Sequence, residues 1–121
     1  MKILLTSTSF QDTPGLHKNK LYDNFDDVEV LRGPVNSNVL LPIIGDFHAV
    51  ICGDDEFNYD VIIKAVKGNL KIISKYGIGL DKIDLKTAKN LDIKVFNCPG
   101  VNHYAVAEHV FSLLLAHYKN L

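Results

Sequence analysis

A chain of 121 residues, 47% hydrophobic and 22% charged, fits one globular domain with an ordinary buried core. Its formal net charge of −1 gives no general attraction to nucleic acid or to an acidic membrane surface. No apolar run approaches the ~20 residues that span a bilayer, and Met1–Leu5 is too short for the apolar part of a signal peptide, so the expected location is the cytoplasm.

In chain order, Ile3-Leu4-Leu5 reads as the first strand, followed at once by the polar run Thr6-Ser7-Thr8-Ser9. Thr13-Pro14 opens a predicted helix that carries Leu21 and Phe25 one turn apart. Val28–Leu31 is the second strand, ended by Gly33-Pro34. Val39–Ile44 is expected to be a short helix stopped by Gly45, although Pro42 opposes it. Ala49–Cys52 is the third strand. A helix over Tyr59–Val66 places Val61, Ile62, Ala65 and Val66 on one side and ends at Gly68-Asn69. Leu70–Ser74 is the fourth strand, Asp84 caps a helix running to Asn90, and Ile93–Phe96 is the fifth strand. After the turn Asn97-Cys98-Pro99-Gly100, a long helix runs from Asn102 to Lys119.

Strands alternating with helices predict βαβ units with right-handed crossovers. The fold class is therefore α/β, a flavodoxin-like three-layer sandwich around a five-stranded parallel sheet of order 2-1-3-4-5. Strands one, three and four are nearly continuous apolar runs, the pattern of strands covered on both faces. Ligands in such sheets collect at the carboxyl ends of the strands. Here those ends are Thr6-Ser7, Cys52-Gly53-Asp54, Lys75–Gly79 and Asn97–Gly100.

Gly77-Ile78-Gly79 has two glycines one residue apart, but it is not a dinucleotide fingerprint. Lys82 stands where the third glycine of G-x-G-x-x-G belongs, the segment follows the fourth strand, and its helix starts late. No G-K-[ST] occurs, which excludes the Walker pattern. Two readings remain: a tight turn in which glycine relieves sterics, or a nest whose Ile78 and Gly79 amides hold one anion, with Lys75 adding charge.

Other chemistry-bearing residues carry less. Cys52 and Cys98 have no metal spacing and read as reduced core or near-core thiols. Asp54-Asp55-Glu56 suggests a Mg²⁺ site of receiver type, but that site needs acidic residues after strand one, where Thr6-Ser7 stands. His109 and His117, eight residues apart, form no metal site. Asp81 reads as a turn residue. No metal is expected.

The segment LKIISKYGIGLDKIDLKTAKNLDIKVFNCPGVNHYAVAEHVFSLLLAH, Leu70 to His117, resembles the D-isomer-specific 2-hydroxyacid dehydrogenases, phosphoglycerate dehydrogenase-like members most of all. The shared pattern is the G-x-G-x-D-x-I-D turn, a helix, then K-V-x-N-x-P-G-x-N and V-A-E-H. The resemblance implies that residues 1–101 form part of a substrate-binding, or catalytic-domain, lobe. It implies that residues 102–121 are a crossing helix leading toward an NAD-binding Rossmann domain downstream, so that this piece is truncated before that domain. In the full enzyme, hydride passes between a small 2-hydroxy or 2-oxo acid and NAD.

By position, Ile78 and Gly79 match residues whose amides hold the substrate carboxylate. Lys75 matches a basic substrate-facing position often filled by arginine, and Asn102 an asparagine near the substrate. Val106 matches a residue at the nicotinamide end of the cofactor. The family's fingerprint, catalytic arginine, acidic partner and catalytic histidine all fall beyond Leu121, and none of His17, His48, His103, His109 or His117 lies in a matching context. No catalytic residue is therefore assigned to this chain, which alone is expected to be inactive. Each assignment has a plainer reading: Ile78 as filler under the turn, Lys75 as a surface lysine, Asn102 as a helix cap, Val106 as packing. The alternative for the whole chain is a non-catalytic flavodoxin-like binding or assembly module. Apolar residues surround the last helix, so self-association through Ala105–Leu115 is expected.

Overall fold

Five short strands make one parallel sheet in the computed structural model, which describes residues 1–121. The elements are β1 (Ile3–Leu5), α1 (Thr8–Asp12), α2 (Leu16–Asn24), β2 (Val28–Val30), α3 (Ser37–Leu40), β3 (Ala49–Cys52), α4 (Tyr59–Lys67), β4 (Ile72–Lys75), α5 (Leu85–Asn90), β5 (Lys94–Phe96) and α6 (His103–Lys119). The strand order is β2-β1-β3-β4-β5, as expected from the alternation. Registers such as Leu4↔Val50, Val50↔Ile73 and Ile73↔Val95 align one apolar row across the sheet.

That row faces the main core. Leu4, Val50 and Ile73 pack there with Val61, Ile62 and Ala65, the apolar stripe of α4. Each such burial stabilises the fold by ~1.5–3 kcal/mol relative to an exposed side chain. α4 starts where Asn58 Oδ1 accepts the Val61 amide (3.1 Å), and α5 where Asp84 accepts the Thr87 amide (3.0 Å). The Thr87 hydroxyl, and then its amide, hold the Asp84 carboxyl below the usual carboxylate range.

The opposite face is covered unevenly: β1 and β3 are largely buried there, as expected, while β4 falls short of the expected cover. Phe10 of α1 and Leu21 of α2 bury Ile3, Leu5 and Ala49. Toward the other edge Ile72 is only half-buried and Phe96 is 56% exposed. α1 and α2 follow β1 directly and reach only that half of the sheet.

A helix that the sequence reading did not predict follows β1: Ser7 Oγ accepts the Phe10 amide (3.3 Å) and starts α1, whose Phe10 reaches the core. Two local expectations need correction. The next helix starts at Leu16 rather than Thr13. Val39–Ile44 is not one helix. Asn36 caps a short α3 over Ser37–Leu40, and a separate 3₁₀ turn follows at Ile44–Asp46, because Pro42 can donate no helical hydrogen bond. The turn after α4 passes very close to that 3₁₀ turn. A Cβ on Gly68 would lie 2.1 Å from the Gly45 carbonyl oxygen, so only glycine fits.

α6 has no buried residue, and Phe111, Leu113 and Leu115 are 66%, 59% and 59% exposed. No helix is long and apolar enough to cross a membrane.

Candidate functional site

Because every strand is parallel, the carboxyl ends of β1, β3 and β4 meet on one side of the sheet. They line a cleft of about 370 Å³ with Thr6–Ser9, Pro34, Gly53, Asp54, Lys75–Gly79, Val101 and Asn102. Of the five candidate residues, this brings together Lys75, Ile78, Gly79 and Asn102. Val106 is not among them; it lies on α6, 55% exposed.

The turn after β4 is held from one side. The Cys98 amide donates to the Gly77 carbonyl (2.8 Å), and Asn97 Nδ2 donates to the Ile78 carbonyl (2.8 Å). The carbonyls are thereby tied to the segment after β5. The amides of Gly77, Ile78 and Gly79 donate to no protein acceptor, and Ile78 is 40% exposed. Backbone donors that are not paired internally must be met by water or by a ligand. Successive free amides of this kind suit a single anion.

Lys75 is not a surface lysine. It is 5% exposed, and its ammonium donates to the Gly53 carbonyl (2.6 Å) and to the Asp54 carboxylate. The register Cys52↔Lys75 sets it beside β3, which brings its head under that strand's exit loop.

The three neighbouring acids do not converge on a cation. Asp54 pairs with Lys75. Asp55 is fully buried and accepts from the Thr6 hydroxyl (2.5 Å), the Val35 amide (2.6 Å) and the Gly53 amide (2.9 Å). Glu56 accepts the Ser37 amide (2.9 Å); that amide, and next the Ser37 hydroxyl, keep its carboxyl below the usual range. Asp55 thus ties the exits of β1 and β3 to the segment after β2 and sets the floor of the cleft. Sequence reading missed this role, and the missed role of Asn97, because the partners are distant in the chain.

Asn102 occupies the cap position of α6 without capping it through its side chain. Its φ of −122° and ψ of 4° differ from the extended backbone with which Asn58 caps α4. Its amide side chain is therefore left at the rim of the cleft. Beside the cleft, the Tyr76 ring packs against Phe10 (5.2 Å between centroids) and stacks near His17 (5.9 Å). His48 accepts the Lys2 amide through Nδ1 (3.0 Å).

Both cysteines are free thiols. Burial, and next the Asp55 charge, push the Cys52 thiol up to about 12, so it stays protonated at neutral pH. Cys98 is half-buried. Iodoacetamide treatment of the native protein at mildly alkaline pH is expected to label Cys98 alone, as read by peptide mass spectrometry. Labelling of Cys52 at a comparable rate would contradict the buried environment.

The family model of the D-isomer specific 2-hydroxyacid dehydrogenase catalytic domain matches residues 3–116. A hydroxypyruvate reductase of Thermotoga maritima is 38% identical over 97 residues, which cover 80% of this chain and 31% of that protein. A D-3-phosphoglycerate dehydrogenase of Methanocaldococcus jannaschii is 32% identical over 121 residues, all of this chain and 22% of that protein. A solved acyclic imino acid reductase, in complex with NADPH and D-Arg, is 30% identical with a TM-score of 0.79, over 96% of this chain and 36% of its own. The chain thus spans about a third or less of the length of these proteins. A match over nearly the whole chain, on a sheet of the expected order, places it among the D-isomer specific 2-hydroxyacid dehydrogenases, within their catalytic domain.

Proposed function

We propose that this chain is the substrate-binding lobe of an NAD-dependent D-2-hydroxyacid dehydrogenase. The full enzyme transfers hydride between a small 2-hydroxy or 2-oxo acid and the cofactor. The observation that carries this reading is the run of amides from Gly77 to Gly79, which line the cleft and donate to no protein group. Ile78 and Gly79 hold the substrate carboxylate; Lys75 and Asn102 contribute further donors from the cleft wall and rim. Residues 1–101 are the lobe, and residues 102–121 are a helix leading to the cofactor domain. The relatives, an oxidoreductase of hydroxypyruvate and one of phosphoglycerate among them, support a small acid as substrate.

The dinucleotide itself does not fit this chain. Val106 is the one position assigned to its nicotinamide end, and no glycine-rich phosphate cradle of the required pattern occurs. Hydride transfer is therefore a property of the parent enzyme, and no step of it is assigned to residues here. What this chain does is bind and orient the acid.

Heteronuclear NMR on the chain tests the reading. Titration with glycolate is expected to shift the Ile78 and Gly79 amide resonances first and most. If those resonances stay in place while others move, the cradle is elsewhere.

α6 supplies the assembly surface in the isolated chain. Val106, Val110, Phe111, Leu113, Leu114 and Leu115 are all at least 48% exposed, and covering each recovers ~1.5–3 kcal/mol. Self-association through Ala105–Leu115 follows. Light scattering behind size-exclusion chromatography at low micromolar concentration is expected to give a dimer mass or larger, and a clean monomer would contradict it.

A further inference from the structure

We infer that the acid bound in this cleft is a small monoanion, not a phosphorylated one, and that Asp54 enforces the choice. This inference rests on the carboxylate-binding reading given above and narrows its substrate class.

Lys75 and Asp54 are the only charged residues lining the cleft. They are paired with each other, so the lining is neutral before any ligand enters. Of the three N–H groups on the Lys75 ammonium, one donates to the Gly53 carbonyl and one to Asp54, which leaves one for a ligand. The Asp54 side chain is 81% exposed although its partner is 5% exposed. Its negative charge is therefore presented to whatever approaches the lysine. Asp81 adds a second carboxylate close by: its Oδ1 lies 3.0 Å from where a Cβ on Gly79 would stand.

The remaining donors are neutral. They are the free amides of Gly77, Ile78 and Gly79, the Asn102 side-chain amide at the rim, and the hydroxyls after β1, of which Thr6 already donates to Asp55 and Thr8 to the Gly33 carbonyl. Such a set holds one carboxylate well. A phosphate group carries up to two charges, so beyond backbone amides it gains most from a free cation or a guanidinium fork. This lining offers neither, and it places Asp54 against the extra charge. Hydroxyls and an amide rim suit a short hydroxylated or unsubstituted acid.

Asp54→Asn isolates the effect, because asparagine keeps the size of the side chain and an oxygen for Lys75 while removing the charge. The amide resonances of Gly77–Gly79 in the wild-type chain report binding of glycolate and of 3-phosphoglycerate. Glycolate is expected to bind more tightly, and Asp54→Asn is expected to improve 3-phosphoglycerate binding about tenfold relative to glycolate, the size of one charge contact in a partly screened site. Equal or tighter binding of 3-phosphoglycerate by the wild type overturns the inference while leaving the carboxylate cradle standing, and so does an unchanged ratio in Asp54→Asn. If neither anion moves these resonances in the wild type, the cradle and the inference fail together.

Discussion

Asp55→Ala is expected to lower the unfolding free energy by ~3 kcal/mol or more, the largest loss from any single polar change in this chain. The buried carboxylate satisfies the Thr6 hydroxyl and the Val35 and Gly53 amides. Its removal leaves the buried Val35 amide unpaired, leaves the buried Thr6 hydroxyl only the longer bond to the Ile51 carbonyl (3.3 Å), and unpairs the half-buried Gly53 amide; each unpaired buried group costs ~1–3 kcal/mol. Those donors come from the exits of β1 and β3 and from the segment that follows β2, so the cleft floor loosens with the fold. Urea unfolding followed by circular dichroism measures the change. Asp12→Ala is the contrast: it removes a two-bonded ion pair with Arg32 in which both side chains are more than half exposed, and it is expected to move the midpoint far less. A midpoint for Asp55→Ala within error of the wild type would mean that the network is not structural.

The second large effect belongs to the proposed site. In the parent enzyme, Gly79→Val is expected to weaken binding of the acid by about 10- to 100-fold while cofactor binding is unchanged. That range corresponds to losing one hydrogen bond donated by a backbone amide to a charged ligand, ~1.5–3 kcal/mol. A Cβ at this position would meet only the end of the Asp81 side chain, 3.0 Å away, which can turn aside. The fold is therefore expected to survive, with the valine methyls standing in front of the amide. The Michaelis constant for the acid and the dissociation constant of the cofactor are the two readouts. If neither differs from the wild type, the carboxylate assignment to Ile78 and Gly79 is removed.

The two variants differ in how visible their residues are in a linear reading. Gly77-Ile78-Gly79 stands out by its spacing and by its place after an apolar strand. Asp55 is one acid in a row of three, and nothing local separates it from Asp54 or Glu56. Its hydroxyl partner is Thr6, 49 positions away. Asn97 reaches Ile78 across 19 positions, and it reads locally as a turn residue before Pro99.

By itself, the order of residues determined the alternation of five apolar runs with helices, hence the parallel sheet and its strand order, because period and breaker residues act over a few positions. It also determined the α5 cap at Asp84 and the turn after β4, whose spacing carries the family likeness. Tertiary structure alone decided the rest: that Lys75 is buried against Asp54, that Asn102 stands at the head of α6 without capping it, that Phe10 turns a polar run into α1, and that half of one sheet face stays thinly covered. These outcomes depend on which distant groups meet once the sheet is assembled. Charge pairing and desolvation are settled only by that meeting, and no local spacing encodes it.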